Sequence, residues 1–272
     1  LNRIGIGYFR PMVTALFATA GIAEQERVDC LKAIERFIFI GFRISRAQSN
    51  YGNSKYFNLS RMLYQEGLGI KELHETLKEN LSWTFSEGNL LKIGAFKEYI
   101  SYKFNIEKTG FYGWNGLRYF LYEYEEALRT ARNQPKLSWN LFVKGEKDRI
   151  SIEHIFPQTA NQSCWELHFG TLSDAEKLRY NGSLGNLIPL SASINSSLQN
   201  DCFENKKNIV FHPDGTVKRN GYKNGSYSEQ EVAEASEWTP ESIQARGLKL
   251  LNFMEKRWDL RLGDDKSIIL GE

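Results

Sequence analysis

The spacing of apolar side chains changes once along this chain, and that change limits what it can fold into. Up to about residue 140 they recur at threes and fours. Val28, Leu31, Ile34, Ile38 and Phe42 do so between Glu24 and Ile44, and Leu117, Phe120, Leu121, Tyr124 and Leu128 between Trp114 and Ala131. Such spacing draws one apolar stripe along a helix. Residues 71–81 and 90–104 read as further helices, parted by a Glu-Gly-Asn turn. From Arg149 the period falls to two: Ile150 and Ile152 alternate with Ser151 and Glu153, as in a half-buried strand. Residues 184–190 form a second short strand, and Ser191 or Ser193 can cap a helix after it. Helical character then runs to about Asn208, with a break at Asn200-Asp201.

The expected architecture is mainly α with a small α+β core. A helical bundle occupies residues 1–142, a strand-strand-helix core 143–225, and a helical segment packing back on the body 226–272. Asn133-Gln134-Pro135 and the charged turn from Lys144 to Arg149 mark the first boundary. Residues 211–227 read as loop or hairpin, turning at Pro213-Asp214-Gly215, and a last helix starts at Pro240.

With 41% hydrophobic and 25% charged residues, the chain is neither disordered nor fibrous. A net charge of +2 neither announces nor excludes a nucleic-acid partner, because phosphate attraction depends on local clusters. Cys30, Cys164 and Cys202 are odd in number and widely separated, so no disulfide framework and no cysteine zinc site is expected, and a cytoplasmic location fits. The early apolar run Phe37–Phe42 is too short to cross a bilayer. The chain begins at Leu1 rather than a methionine, so a preceding N-terminal part is expected.

Four residues carry the chemistry. His154 is the natural general base, since a neutral imidazole accepts a proton near pH 7 whereas Lys and Arg are already protonated. Glu153 and Asn195 offer a carboxylate and a carboxamide oxygen, a donor set that suits a hard cation such as Mg²⁺ or Mn²⁺. Asn186, on the second strand, either serves the active site or bonds the backbone of the loop between the strands. Asn195 has a plainer reading as a helix cap.

The runs Ile152-Glu153-His154-Ile155-Phe156-Pro157-Gln158, Ser183-Leu184-Gly185-Asn186-Leu187, Ile194-Asn195-Ser196 and Phe203-Glu204-Asn205-Lys206-Lys207 resemble the C-terminal nuclease domain of GmrSD-type restriction enzymes, a family that includes SspE-like proteins. That domain is an HNH nuclease of the ββα-metal class. The resemblance implies His154 as base, Asn186 as the middle Asn, Glu153 and Asn195 as metal ligands, and DNA as substrate. It also implies an N-terminal nucleotide-hydrolysing domain in the same protein; residues 1–272 contain no G-x-x-x-x-G-K-[ST] loop to serve one. Glu153 and Asn195 stand where many HNH enzymes have Asp and His. Residues 155–185, with Trp165, His168 and Tyr180, are longer than the shortest members need and are read as a place for substrate contacts.

Between Phe203 and Gly225 the bases Lys206, Lys207, Lys218, Arg219 and Lys223 outnumber the acids, and the first four are read as phosphate contacts, with solvated surface lysines as the plain alternative. Trp114 and Trp165 are read as core, and His168 and His212 as structural or exposed. The functional expectation is a metal-dependent DNA endonuclease or nickase from a prokaryotic anti-phage restriction system. Its rivals are a catalytically weak HNH-like module that binds DNA or a partner domain, and an RNA-directed nuclease.

Overall fold

The structure, a computed structural model, describes residues 3–5, 7–48, 50–142, 150–264 and 266–270. It is mostly helical and divides into two compact units, Leu1–Phe96 with Glu255–Gly263, and Lys97–Met254 with Asp264–Glu272.

The first unit holds α1 (Arg10–Ala18), α2 (Glu24–Phe37), α3 (Asn53–Arg61) and α4 (Ile70–Glu79). The apolar stripe of residues 24–44 is one continuous run, but its second half widens into a π-helix over Ile38–Ile44. Phe37, Ile38, Phe39 and Ile40 are buried at consecutive positions, a pattern that one stripe at 3.6-residue spacing does not accommodate. A second π turn follows α3 at Met62–Glu66 and ends on Gly67, whose φ of 73° suits a residue without a Cβ. Trp258 stacks on Phe39 at 3.6 Å and donates its indole N–H to buried Glu35 at 2.8 Å.

The second unit contains most of α5 (Gly94–Asn105), then α6 (Leu117–Thr130), β1 (Ile150–His154), α7 (Ser163–Phe169), α8 (Asp174–Gly182), β2 (Leu187–Ser191), α9 (Ala192–Leu198), α10 (Phe203–Lys207), the hairpin β3 (Val210–Phe211) and β4 (Val217–Arg219), α11 (Tyr227–Ala233), most of α12 (Pro240–Trp258) and α13 (Lys266–Ile269). β1 and β2 pair antiparallel, with Ile150 opposite Ser191 and His154 opposite Leu187. α9 follows β2 directly, giving the strand-strand-helix order read from the sequence, and the break at Asn200-Asp201 separates α9 from α10. α6 packs on β2, so this helix belongs with the strands and not with the first bundle, and the expected boundary near residue 140 falls inside the second unit.

The strand-bearing core joins Ile155, Phe156, Ile188, Leu190, Leu198, Phe203, Tyr222, Trp238 and Ile243. Ser151 and Glu153 point toward Asn195 and Lys206, so β1 is covered on the face that the alternation assigned to solvent. α7 and α8 fill the stretch expected to carry substrate contacts. Trp165 is 2% exposed and packs in the core with Phe169, on which Tyr180 lies, whereas other residues of α7 and α8, Leu167 among them, are exposed. A capping box starts α8, where Ser173 Oγ accepts from Glu176 N and Glu176 Oε2 accepts from Ser173 N.

Cys164 and Cys202 form a disulfide that ties α7 to the residue before α10. The expectation that the cysteines form no disulfide is therefore corrected. Among the described residues no helix is long and apolar enough to cross a membrane. The side chains at 191–193, and so the expected serine caps, lie outside the described residues, as does the turn at 144–149.

Candidate active site

The motif around His154 is built on β1 and on the turn that leaves it. Asn186 is fully buried and uses all four of its hydrogen-bonding positions, two of them on that turn. Its Oδ1 accepts from Phe156 N at 2.7 Å and from Trp238 Nε1 at 3.1 Å; its Nδ2 donates to Phe156 O at 2.9 Å and Asn181 O at 3.0 Å. A carboxamide has no further capacity, so of the two readings of Asn186 the structure supports the loop-holding one. The 3-10 turn before β2 is equally constrained. A Cβ on Gly185 would come within 1.9 Å of Ile243 O, so α12 and this turn meet backbone to backbone.

Glu153 and His154 leave β1 on opposite faces, as consecutive strand residues do. Glu153, 6% exposed, accepts a hydrogen bond from Lys206 Nζ at 2.6 Å. The same ammonium donates to His154 O at 3.2 Å and Ile155 O at 3.1 Å, which satisfies all three of its protons. Lys206 reaches this position because Phe203 and Lys206 share a face of α10, and Phe203 anchors that face in the core. Burial pushes the Glu153 carboxyl up and the Lys206 ammonium down, and each draws the other back toward its charged form.

The His154 imidazole lies beside the ring of Tyr112, centroids 5.0 Å apart and planes tilted by 32°. Its Nε2 is buried and has no hydrogen-bond partner. Burial, and then the charge of Lys206, lowers its pKa to about 4, so the ring is neutral at pH 7. Asn195, half-buried on α9, donates from Nδ2 to Ser151 Oγ at 2.8 Å, on the same side of β1 as Glu153.

The expected phosphate contacts need correction. Lys206 is committed to Glu153. Lys207, 6% exposed, donates to Ala235 O and Ser236 O, and Arg219, 9% exposed, donates to Ser197 O, Asp201 Oδ2 and Asn205 O. These three cations bind the protein's own carbonyls and carboxylates. Of the four, Lys218 alone is exposed. Their sequence neighbourhood resembled a basic surface because their partners are remote in sequence. Tyr112 went unnoticed for a similar reason, since it precedes His154 by 42 positions; only the glycines on either side, Gly110 and Gly113, hint at a turn there.

Searches of curated proteins and of solved structures returned no match. The family model described as GmrSD restriction endonucleases, C-terminal domain, matches residues 97–253, more than half of the chain and nearly the whole second unit between Lys97 and Met254. The chain therefore belongs to the family of GmrSD restriction endonuclease C-terminal domains.

Proposed function

We propose that the second unit is a metal-dependent DNA endonuclease or nickase of the HNH type, the nuclease part of a prokaryotic anti-phage restriction protein whose N-terminal domain hydrolyses nucleotides. The observation that carries the reading is a neutral imidazole at the end of β1, next in sequence to a carboxylate, with β2 paired to that strand and α9 following it.

In this reading the His154 imidazole, which leaves the end of β1 on the face opposite Glu153 and Asn195, removes the proton of the attacking water. Among the described residues no three of His, Cys, Asp and Glu gather as a closed metal site would need. A hydrated Mg²⁺ or Mn²⁺ needs fewer, and the second carboxylate oxygen of Glu153 with the carboxamide oxygen of Asn195 suits it by chemistry. When bound, such an ion neutralises charge developing on the phosphate and the leaving oxygen. Asn186 keeps the turn after His154 in register, and Lys206 fixes Glu153 from the interior.

Supercoiled plasmid incubated with Mg²⁺ or Mn²⁺, against an EDTA control, tests the proposal. Conversion to open circle in the presence of metal is expected. His154→Ala is expected to lower that rate by about 100-fold or more while DNA binding and melting temperature hold. Full activity in this variant would overturn the assignment. The Lys206–Glu153 ion pair favours a second reading, a catalytically weak module that binds DNA, because it occupies one oxygen of the expected ligand. A gel shift without cleavage would select it, and preferential degradation of RNA would redirect the substrate.

A further inference from the structure

A general base is ordinarily oriented by a third group that hydrogen-bonds its other nitrogen or its proton. The buried Nε2 of His154 has no such partner, and the aromatic ring beside the imidazole is that of Tyr112. We propose, on the nuclease reading above, that Tyr112 is a positioning residue: its aromatic face sets the plane of the His154 imidazole.

The fold holds Tyr112 rigidly enough for this. It lies on a 3-10 turn, Gly110–Gly113, that is fixed at both ends. At one end Gly110 has a φ of +53°, and a Cβ there would come within 2.5 Å of Gly182 O, so the turn abuts the end of α8 directly. At the other, Tyr99 donates its hydroxyl proton to Gly113 O at 3.2 Å. Thr109, just before the turn, donates from N to Lys103 O at 2.9 Å, and its O accepts from Tyr112 N at 3.2 Å. Yet the Tyr112 side chain is poorly placed to serve as core, because the residue is 46% exposed. A large ring left half in solvent on a tightly fixed turn, with its packed part on the candidate base, is explained by what it does to that base. Tilted ring pairs of this kind supply orientation at modest energy.

The test compares plasmid nicking by the full chain carrying Tyr112→Phe, Tyr112→Leu and Tyr112→Met. The Phe variant keeps the ring and is expected to stay within about 2-fold of wild type. Leu and Met remove it and are expected to lower kcat by about 10- to 100-fold, the scale of a misplaced reacting group, with KM and melting temperature nearly unchanged. NMR of the His154 ring protons supplies an independent readout, since their ring-current shift should persist in the Phe variant and vanish in the other two. Wild-type kcat in the Leu and Met variants, or equal damage in the Phe variant, overturns the positioning role and leaves the nuclease reading intact. A wild-type protein inactive with every divalent metal overturns both.

Discussion

The ammonium of Lys206 lies 2.6 Å from Glu153 Oε1 with neither side chain open to solvent. Removing one member of such a pair leaves an uncompensated charge where water cannot reach it. Lys206→Met should cost about 3–5 kcal/mol in urea unfolding, and adding Glu153→Gln to it should restore much of that loss. Additive losses in the double variant would show that the two side chains are not energetically joined.

Asn186→Ala should be among the most damaging single changes in the second unit. It leaves Phe156 N, Trp238 Nε1 and Asn181 O without their partner in a dry interior, at about 1–3 kcal/mol for each. Chemical unfolding measures the total, and a loss below about 1 kcal/mol would contradict the clamp described for this residue.

Glu229 opens a pH dependence. Burial pushes its carboxyl up to about 7 from the ordinary 4.5, while bonds from Ser226 pull the other way. The folded state then binds this proton more tightly than the unfolded chain does. Its contribution to stability is greatest below pH 4.5, is lost as pH rises through that range to about 7, and changes no further above it. Glu229→Gln should abolish that slope and raise stability at pH 8 by roughly 3 kcal/mol, with little effect at pH 4. Parallel stability curves for variant and wild type would refute this.

The disulfide closes a loop spanning 38 positions between α7 and α10. By the chain-entropy relation, reduction or paired Cys→Ser substitution should cost about 4 kcal/mol. Melting with and without dithiothreitol checks it; identical curves would mean that the cross-link contributes nothing to the folded state.

The elements most legible in the sequence were those whose signals are local. The alternation at Ile150 and Ile152, the run before Leu190, the break at Asn200-Asp201 and Pro240 each announce a boundary within a few residues, and the structure has one at each. The helix read from Leu90 starts only at Gly94, because Leu90 and Leu91 pair as bridges with Arg261 and Phe85. What stayed hidden depends on distant partners. Lys206-Lys207 looks like a solvated charge pair until Glu153, 53 positions away, comes to meet it. Cys164 finds Cys202 across two helices and a strand. The motif named His154, Glu153, Asn186 and Asn195, but nothing local could say that Asn186 spends every bond on the backbone turn and Trp238, or that a tyrosine from the helical half lies on the imidazole.

The backbone contact at Gly185 bears on how small a working fragment of this protein can be. Arg246, buried in α12, donates to Gly185 O and Leu187 O at 2.7 and 2.9 Å, and Ile243 O leaves no space for even a methyl group beside that glycine. Helix α12 is thus part of the foundation of the motif and no detachable appendage. A truncated enzyme ending after the β3–β4 hairpin would lose Trp238 and Arg246 together, and with them the support beneath the motif. Trimming for crystallography or fusion should accordingly spare α12 and the α13 segment that packs on it.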